Sequence, residues 1–204
     1  KWTNKSCQFK IVSPQIEPIE KPKVKTHISS MMKKSFNFKT IENLQQVGFT
    51  GFISIADLWK DCSVIPKIKG VYMVVHPTKA APEFLSVGTG GFYKGKDPNV
   101  PIEELLAKWV NETCVIYIGQ AGGIRGGKQP MATLQSRLRQ YLRFGQRGAV
   151  GHQGGCYIWQ LKDAANLLFC WKPLPTDDPR AVEKELIETF KTQYGKYPFA
   201  NRQD

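Results

Sequence analysis

A mixed α/β domain is the fold class that the 204-residue sequence predicts, and three observations carry it. Short runs rich in β-branched and aromatic residues, read as strands, recur at 68–76 (IKGVYMVVH), 114–119 (CVIYIG), 155–161 (GCYIWQL) and 167–172 (LLFCWK). Two other segments, 133–144 and 178–195, place apolar residues at helical spacing. With 41% apolar and 11% aromatic residues, the chain has enough to bury a core. No run of about 18 apolar residues indicates a membrane span.

Taken in order, residues 1–40 form a basic arm without sustained periodicity. Up to residue 45 there are nine Lys against three Glu, which suits either a solvated tail or an arm that touches DNA. Residues 41–66 read as a helical lead segment around a Gly-Phe turn at Gly48, Phe49, Gly51 and Phe52. The main domain is expected over 67–204, interrupted by an insertion at 77–113. That insertion opens with a Gly- and Pro-rich loop and contains a short helix at 103–110. The helix at 133–144 stops at Gly145, and the strands at 155–161 and 167–172 are expected to form a hairpin. Asp178 then caps the last helix, Pro179 occupies its first turn and Gly195 closes it. Trp159 and Trp171 are expected in the core of the later strands, and His152, in GHQGG, in a turn.

Lys and Arg total 29 against 17 Asp and Glu, a net charge of +12, and a balance this basic favours a polyanionic partner. The charge is concentrated. Residues 119–147 carry Arg125, Lys128, Arg137, Arg139, Arg143 and Arg147 without one acid, as a surface facing phosphates would. Five cysteines without a CxxC pair, several inside apolar runs, fit a reduced cytoplasmic chain. The first residues show no signal-peptide pattern. The three histidines are scattered and do not pair with the cysteines as a structural zinc site would require.

The helices single out particular side chains. On a wheel of 100° per residue, Val182, Leu186, Ile187, Phe190 and Tyr194 form the apolar face of the last helix, and Glu183 falls inside that face. Glu185 and Glu188 fall outside it. A carboxylate aimed at a core is costly unless paired or bound to a metal. A first-turn Glu favoured by the helix dipole is the other reading. In the earlier helix Leu134, Leu138 and Leu142 make the apolar stripe. Arg137 and Tyr141 share its shoulder, while Arg139 and Arg143 lie on the outer side. Arg137 is thereby either half-buried at a site or one more surface charge.

Gly70-Val71-Tyr72 in the first strand, Tyr117-Ile118-Gly119 in the second, the LQSRLRQY helix, VEKELI and a late Asn201 form an ordered set. Together they resemble the GIY-YIG nuclease family over roughly residues 67–201, nearest its stand-alone and restriction-enzyme branch. The resemblance implies a small central antiparallel sheet of about three strands flanked by helices. It implies a metal-dependent endonuclease that hydrolyses phosphodiester bonds of double-stranded DNA. Tyr72 would be the general base and Tyr117 would position the attacking water. Arg137 would contact the scissile phosphate, Tyr141 the phosphate or the water. Glu183 would hold one Mg²⁺ or Mn²⁺, and Asn201 would close the site. Arg125, Lys128, Arg139, Arg143 and Arg147 are the expected DNA contacts, from their charge.

The chain departs from the family pattern at two points. The 45 residues from Tyr72 to Tyr117 exceed the short link of compact members, and Gln120 follows YIG where relatives often carry Lys. The alternative function is a DNA-binding module on a nuclease scaffold, and an RNA-directed protein ranks third because no RNA-binding motif is visible. Cross-strand packing is the competing role for the two tyrosines. Double-strand cutting with one site per subunit would call for a homodimer; nicking would not.

Overall fold

The computed structural model describes residues 36–201, apart from 79, 93, 129 and 151–154. The basic arm up to residue 35 and His152 lie outside the described residues. Helices α1 (Ile41–Gln46) and α2 (Ile55–Lys60) flank strand β1 (Thr50–Ser54). Strand β2 (Gly70–Val75), helix α3 (Ile102–Lys108), strand β3 (Val115–Ala121) and helix α4 (Leu134–Gly145) follow. Two 3-10 turns (Cys156–Gln160 and Ala164–Asn166), strand β4 (Leu168–Pro173) and helix α5 (Pro179–Tyr194) complete the order.

The four strands form one antiparallel sheet in the order β1-β4-β2-β3. Strand β2 is central, and all six of its residues are buried. Its alternation explains why. Val71, Met73 and Val75 face one layer, with Val182, Leu186 and Phe190 of α5, Leu44 of α1 and Phe38. Tyr72 and Val74 face the other, with Leu134, Leu138 and Tyr141 of α4, Ile55 and Leu58 of α2, and Trp159. A strand covered on both faces reads as a continuous apolar run, which is what 70–75 is.

Local chemistry sets the helix ends. Thr133 and Ser136 form a reciprocal capping box at the start of α4. Asp178 caps α5, Pro179 takes its first position and Gly195, at φ 69°, ends it, as the sequence predicts.

Two expectations are corrected. The sheet has four strands because the lead segment is not purely helical: residues 50–54 pair with β4. Residues 155–161 are not a strand, and the expected hairpin is absent. The segment coils as a 3-10 turn in which all five residues, Cys156–Gln160, are buried, and β4 pairs with β1 and β2 instead. A short run buried on every side carries no periodicity that separates a strand from a helical turn. The insertion at 77–113 is tied to the core. The buried Gln160 amide accepts from Val100 N at 2.9 Å and donates to the Leu85 and Val100 carbonyls at 3.2 and 3.0 Å. At its start, buried His76 meets Asp163 at 3.2 Å and the Thr78 carbonyl at 2.8 Å.

Among the described residues no helix is long and apolar enough to cross a membrane. No disulfide joins Cys62, Cys114, Cys156 and Cys170.

Candidate active site

The site begins with the register of β2 and β3. Tyr72 lies opposite Gly119 and Val74 opposite Tyr117, so the two tyrosines are diagonal neighbours on one face. Their ring centroids are 6.0 Å apart. Gly119 makes the arrangement feasible. A Cβ there would sit 2.6 Å from Cζ and 2.7 Å from Oη of Tyr72. Gly70 acts one position earlier: a Cβ would strike the Lys172 carbonyl and come within 3.0 Å of Leu134, blocking the seat of α4 on β2.

Helix α4 lies across the tyrosine face and contributes Arg137, half-buried. Helix α5 packs on the opposite face, yet its first turns reach the same spot. The turn after β3 is tied to them: Ile124 N donates to Asp178 Oδ1 at 3.0 Å, and Gln120 Oε1 accepts from Gly123 N at 2.8 Å. Glu183, half-buried, thereby comes within electrostatic reach of both tyrosines.

Burial dominates the electrostatics. It pushes the Tyr72 hydroxyl up to about 12; the Arg137 guanidinium pulls it back and the Glu183 carboxylate pushes it further up. Tyr117 is raised well above its ordinary range, first by burial and then by Tyr72 and Glu183, with Arg137 again opposing. The Tyr72 hydroxyl has Tyr117 and Arg137 beside it as favourable neighbours, but neither meets it in hydrogen-bond geometry. It is a buried polar atom without a partner, an uncommon and costly state.

The structure therefore brings together Tyr72, Tyr117, Arg137 and Glu183. It uses the other two expected residues differently. Tyr141 is fully buried and donates to the Gly155 carbonyl at 2.6 Å, so its hydroxyl is engaged inside the protein rather than turned to a phosphate. The Asn201 amide grips the backbone of Ile118, Oδ1 accepting from N at 2.9 Å and Nδ2 donating to O at 2.8 Å. It fixes the strand that carries Tyr117.

The five cations expected to contact DNA are all exposed. Arg125 and Lys128 flank a tight Gly126-Gly127 turn, closed by reciprocal backbone bonds of 2.9 Å. Arg139 and Arg143 lie on the outer face of α4 and Arg147 just beyond it, all exposed. Trp159 and Trp171 are both buried, as expected. Sequence reasoning missed Gln160 and Gln135 as buried anchors. Gln135 donates to the Cys62 and Ile65 carbonyls at 3.1 and 3.2 Å. A Gln inside an apolar run was the available signal for Gln160.

Among the described residues no three His, Cys, Asp or Glu side chains gather as a metal cage. One carboxylate beside an unpartnered hydroxyl fits a hard divalent cation that keeps most of its ligands as water. Such a set can bind an anion through Arg137, orient a water through the tyrosines and hold a cation on Glu183. No family model, no curated protein and no solved structure matches this chain at the threshold of significance.

Proposed function

We infer that the chain is a metal-dependent endonuclease of the GIY-YIG kind, hydrolysing phosphodiester bonds in double-stranded DNA. The observation that carries this reading is the meeting of Tyr72, Tyr117, Arg137 and Glu183, from four separate elements, around a buried hydroxyl with no partner. Two phenols, a guanidinium and a carboxylate converging from four elements are poorly explained by packing alone.

Arg137 holds the scissile phosphate and offsets the charge that develops on it. Glu183 would hold one Mg²⁺ or Mn²⁺, and the ion would supply Lewis-acid stabilisation of developing negative charge. Tyr117, on the edge strand fixed by Asn201, orients the attacking water. Burial, and after it the Glu183 charge, keep the proton on Tyr72 Oη while Arg137 opposes them, so Tyr72 serves as an acceptor only where added positive charge and solvent at the site outweigh that burial. Tyr141 supports the Tyr117 ring at 5.6 Å and takes no part in proton transfer.

The second reading, a DNA-binding module on the same scaffold, draws on one observation: the Tyr72 proton is held up to about 12 in the resting chain. Conversion of supercoiled plasmid with Mg²⁺ or with EDTA, in the parent and in Glu183→Gln, separates the two. Cutting that needs the metal and disappears in the variant supports the nuclease. Duplex binding that survives EDTA with no cutting under any condition replaces it with the binding module.

A further inference from the structure

The insertion delivers a loop to the far end of α4. Thr89 N donates to the Trp159 carbonyl at 3.0 Å, Gly91 N to the Phe144 carbonyl at 2.8 Å, and Arg147 N returns to the Thr89 carbonyl at 3.2 Å. Gly88 N is held by Asn99 Oδ1 at 2.8 Å. The foot of the loop is thus anchored by main-chain bonds to the core, yet its tip turns an apolar side chain outward. Phe92 is 55% exposed.

The tip and its neighbour are also strained. Lys94 has φ 53° and Arg147 has φ 62°, left-handed values that a non-glycine residue adopts at a cost. In each case a glycine follows immediately, Gly95 and Gly148, so strain falls on the charged residue although a glycine was adjacent. Arg139 and Arg143 are one turn apart on the outer face of α4, about 6 Å along its axis, and Arg147 follows just past its end, where Gly148 N turns back to the Arg143 carbonyl at 2.8 Å. Phe92 follows Gly91, whose backbone meets Phe144 and Gly148 at that same end, and exposed Lys96 lies four residues further along the loop. The one acid of the tip, Asp97, is engaged with the backbone and amide of Asn99 at 2.9 and 2.6 Å.

We propose that the 88–96 loop is a second DNA contact, which grips the duplex flanking the cut site. Lys96, Arg143 and Arg147 take phosphates, and Phe92 lies against the sugar edge of a groove. This rests on the reading of α4 as a phosphate-facing helix. From Arg137 to the end of α4 at Gly145 the helix rise amounts to about 12 Å, which corresponds to roughly three to four base pairs of duplex from the scissile phosphate. A rigid anchor and an outward aromatic suit an apolar wedge beside cations, the pairing used by groove-inserting side chains.

The test uses the full chain carrying Glu183→Gln, so that binding is read without cutting, and a labelled duplex of mixed sequence. Adding Phe92→Ala should weaken binding about tenfold with the salt slope unchanged, because an apolar contact releases no counterion. Adding Lys96→Ala should weaken it and flatten the slope by roughly one unit. Leu106→Ala, removing a 53% exposed side chain on α3, should change neither quantity. Thermal melts should match throughout. Parent-like affinity in both loop variants, with plasmid cutting by the native chain intact, overturns this inference alone. An equal loss in Leu106→Ala overturns it also. Absence of duplex binding in every variant overturns this inference and the DNA reading together.

Discussion

Gly119→Ala tests the geometry of the site with one methyl group. The added Cβ would lie 2.6 Å from Cζ and 2.7 Å from Oη of Tyr72, and 2.9 Å from Cε1 of Tyr117. Ordinary carbon contacts begin near 3.5 Å, so the Tyr72 ring must retreat by about 1 Å. It has nowhere free to go, being fully buried with Phe169 at 6.2 Å on one side and Tyr117 on the other. Overpacking of this kind costs about 1–3 kcal/mol, which lowers the melting temperature by several degrees in a chain of this size. A displacement of about 1 Å at a reacting group costs on the order of 100-fold in rate. Gly195→Ala is the control. Its φ is 69° but nothing lies within 4 Å of the new Cβ, so it suffers backbone strain of about 1 kcal/mol without a clash. Calorimetric melts and plasmid cutting with Mg²⁺ should show Gly195→Ala destabilised but fully active, and Gly119→Ala destabilised and nearly inactive. A Gly119→Ala protein that melts lower yet cuts at the parent rate would refute the role given to Tyr72.

Three further outcomes are expected. Tyr141→Phe removes the shorter of two bonds to the Gly155 carbonyl, which also accepts from Ile158 N at 3.3 Å, and should cost about 1 kcal/mol in urea unfolding, with the cutting rate nearly unchanged; a hundredfold loss of rate would return its hydroxyl to the chemistry. Asn201→Ala removes both bonds to Ile118 and should cost about 2 kcal/mol, and amide exchange at residues 116–118 should speed up; unaltered exchange would mean the clamp is not what holds β3. Removing the Glu183 charge takes away a contribution that raises Tyr72, so in Glu183→Gln tyrosinate absorbance should appear at lower pH than in the parent, where Tyr72 titrates near 12; a titration shifted upward, or unmoved, would contradict the proximity of the two groups. The same raised value has a sign for stability. Tyr72 ionises near 10 when unfolded, so its stabilising contribution is present below about pH 10 and disappears as pH climbs towards 12.

How far the sequence reaches depends on whether a residue's role is set by its own element. Glu183 and Arg137 were legible because helical periodicity alone marks a carboxylate within an apolar face and an arginine on its shoulder. Strands β2 and β3 were legible from their composition, and the caps of α5 from Asp178, Pro179 and Gly195. Strand β1 was not. It is five residues long, with φ 98° at Gly51, φ 55° at Phe52 and a register shift, so no alternation survives in TGFIS. The 155–161 segment was misread because a wholly apolar run has no period to betray its conformation. The placement of Tyr141 depended on a loop carbonyl, Gly155, that no sequence pattern announces. The pairing of Asn201 with Ile118 joins positions 83 apart and exists only once the fold has formed.

That last pairing bears on how molecules of this chain meet one another. Among the described residues strand β3 ends the sheet, and three of its outward groups are taken, the Ile116 carbonyl by Ala200 N and both backbone groups of Ile118 by the Asn201 amide. A margin occupied at its middle in this way offers a neighbouring strand only a short, interrupted ladder. At the opposite margin, among the described residues, β1 pairs with β4 alone, but it is short and bent by its irregular register. Both are devices that discourage edge-to-edge recruitment. Sheet extension between copies is therefore disfavoured at each end, and an assembly of two chains on one duplex would have to be built from helices and loops.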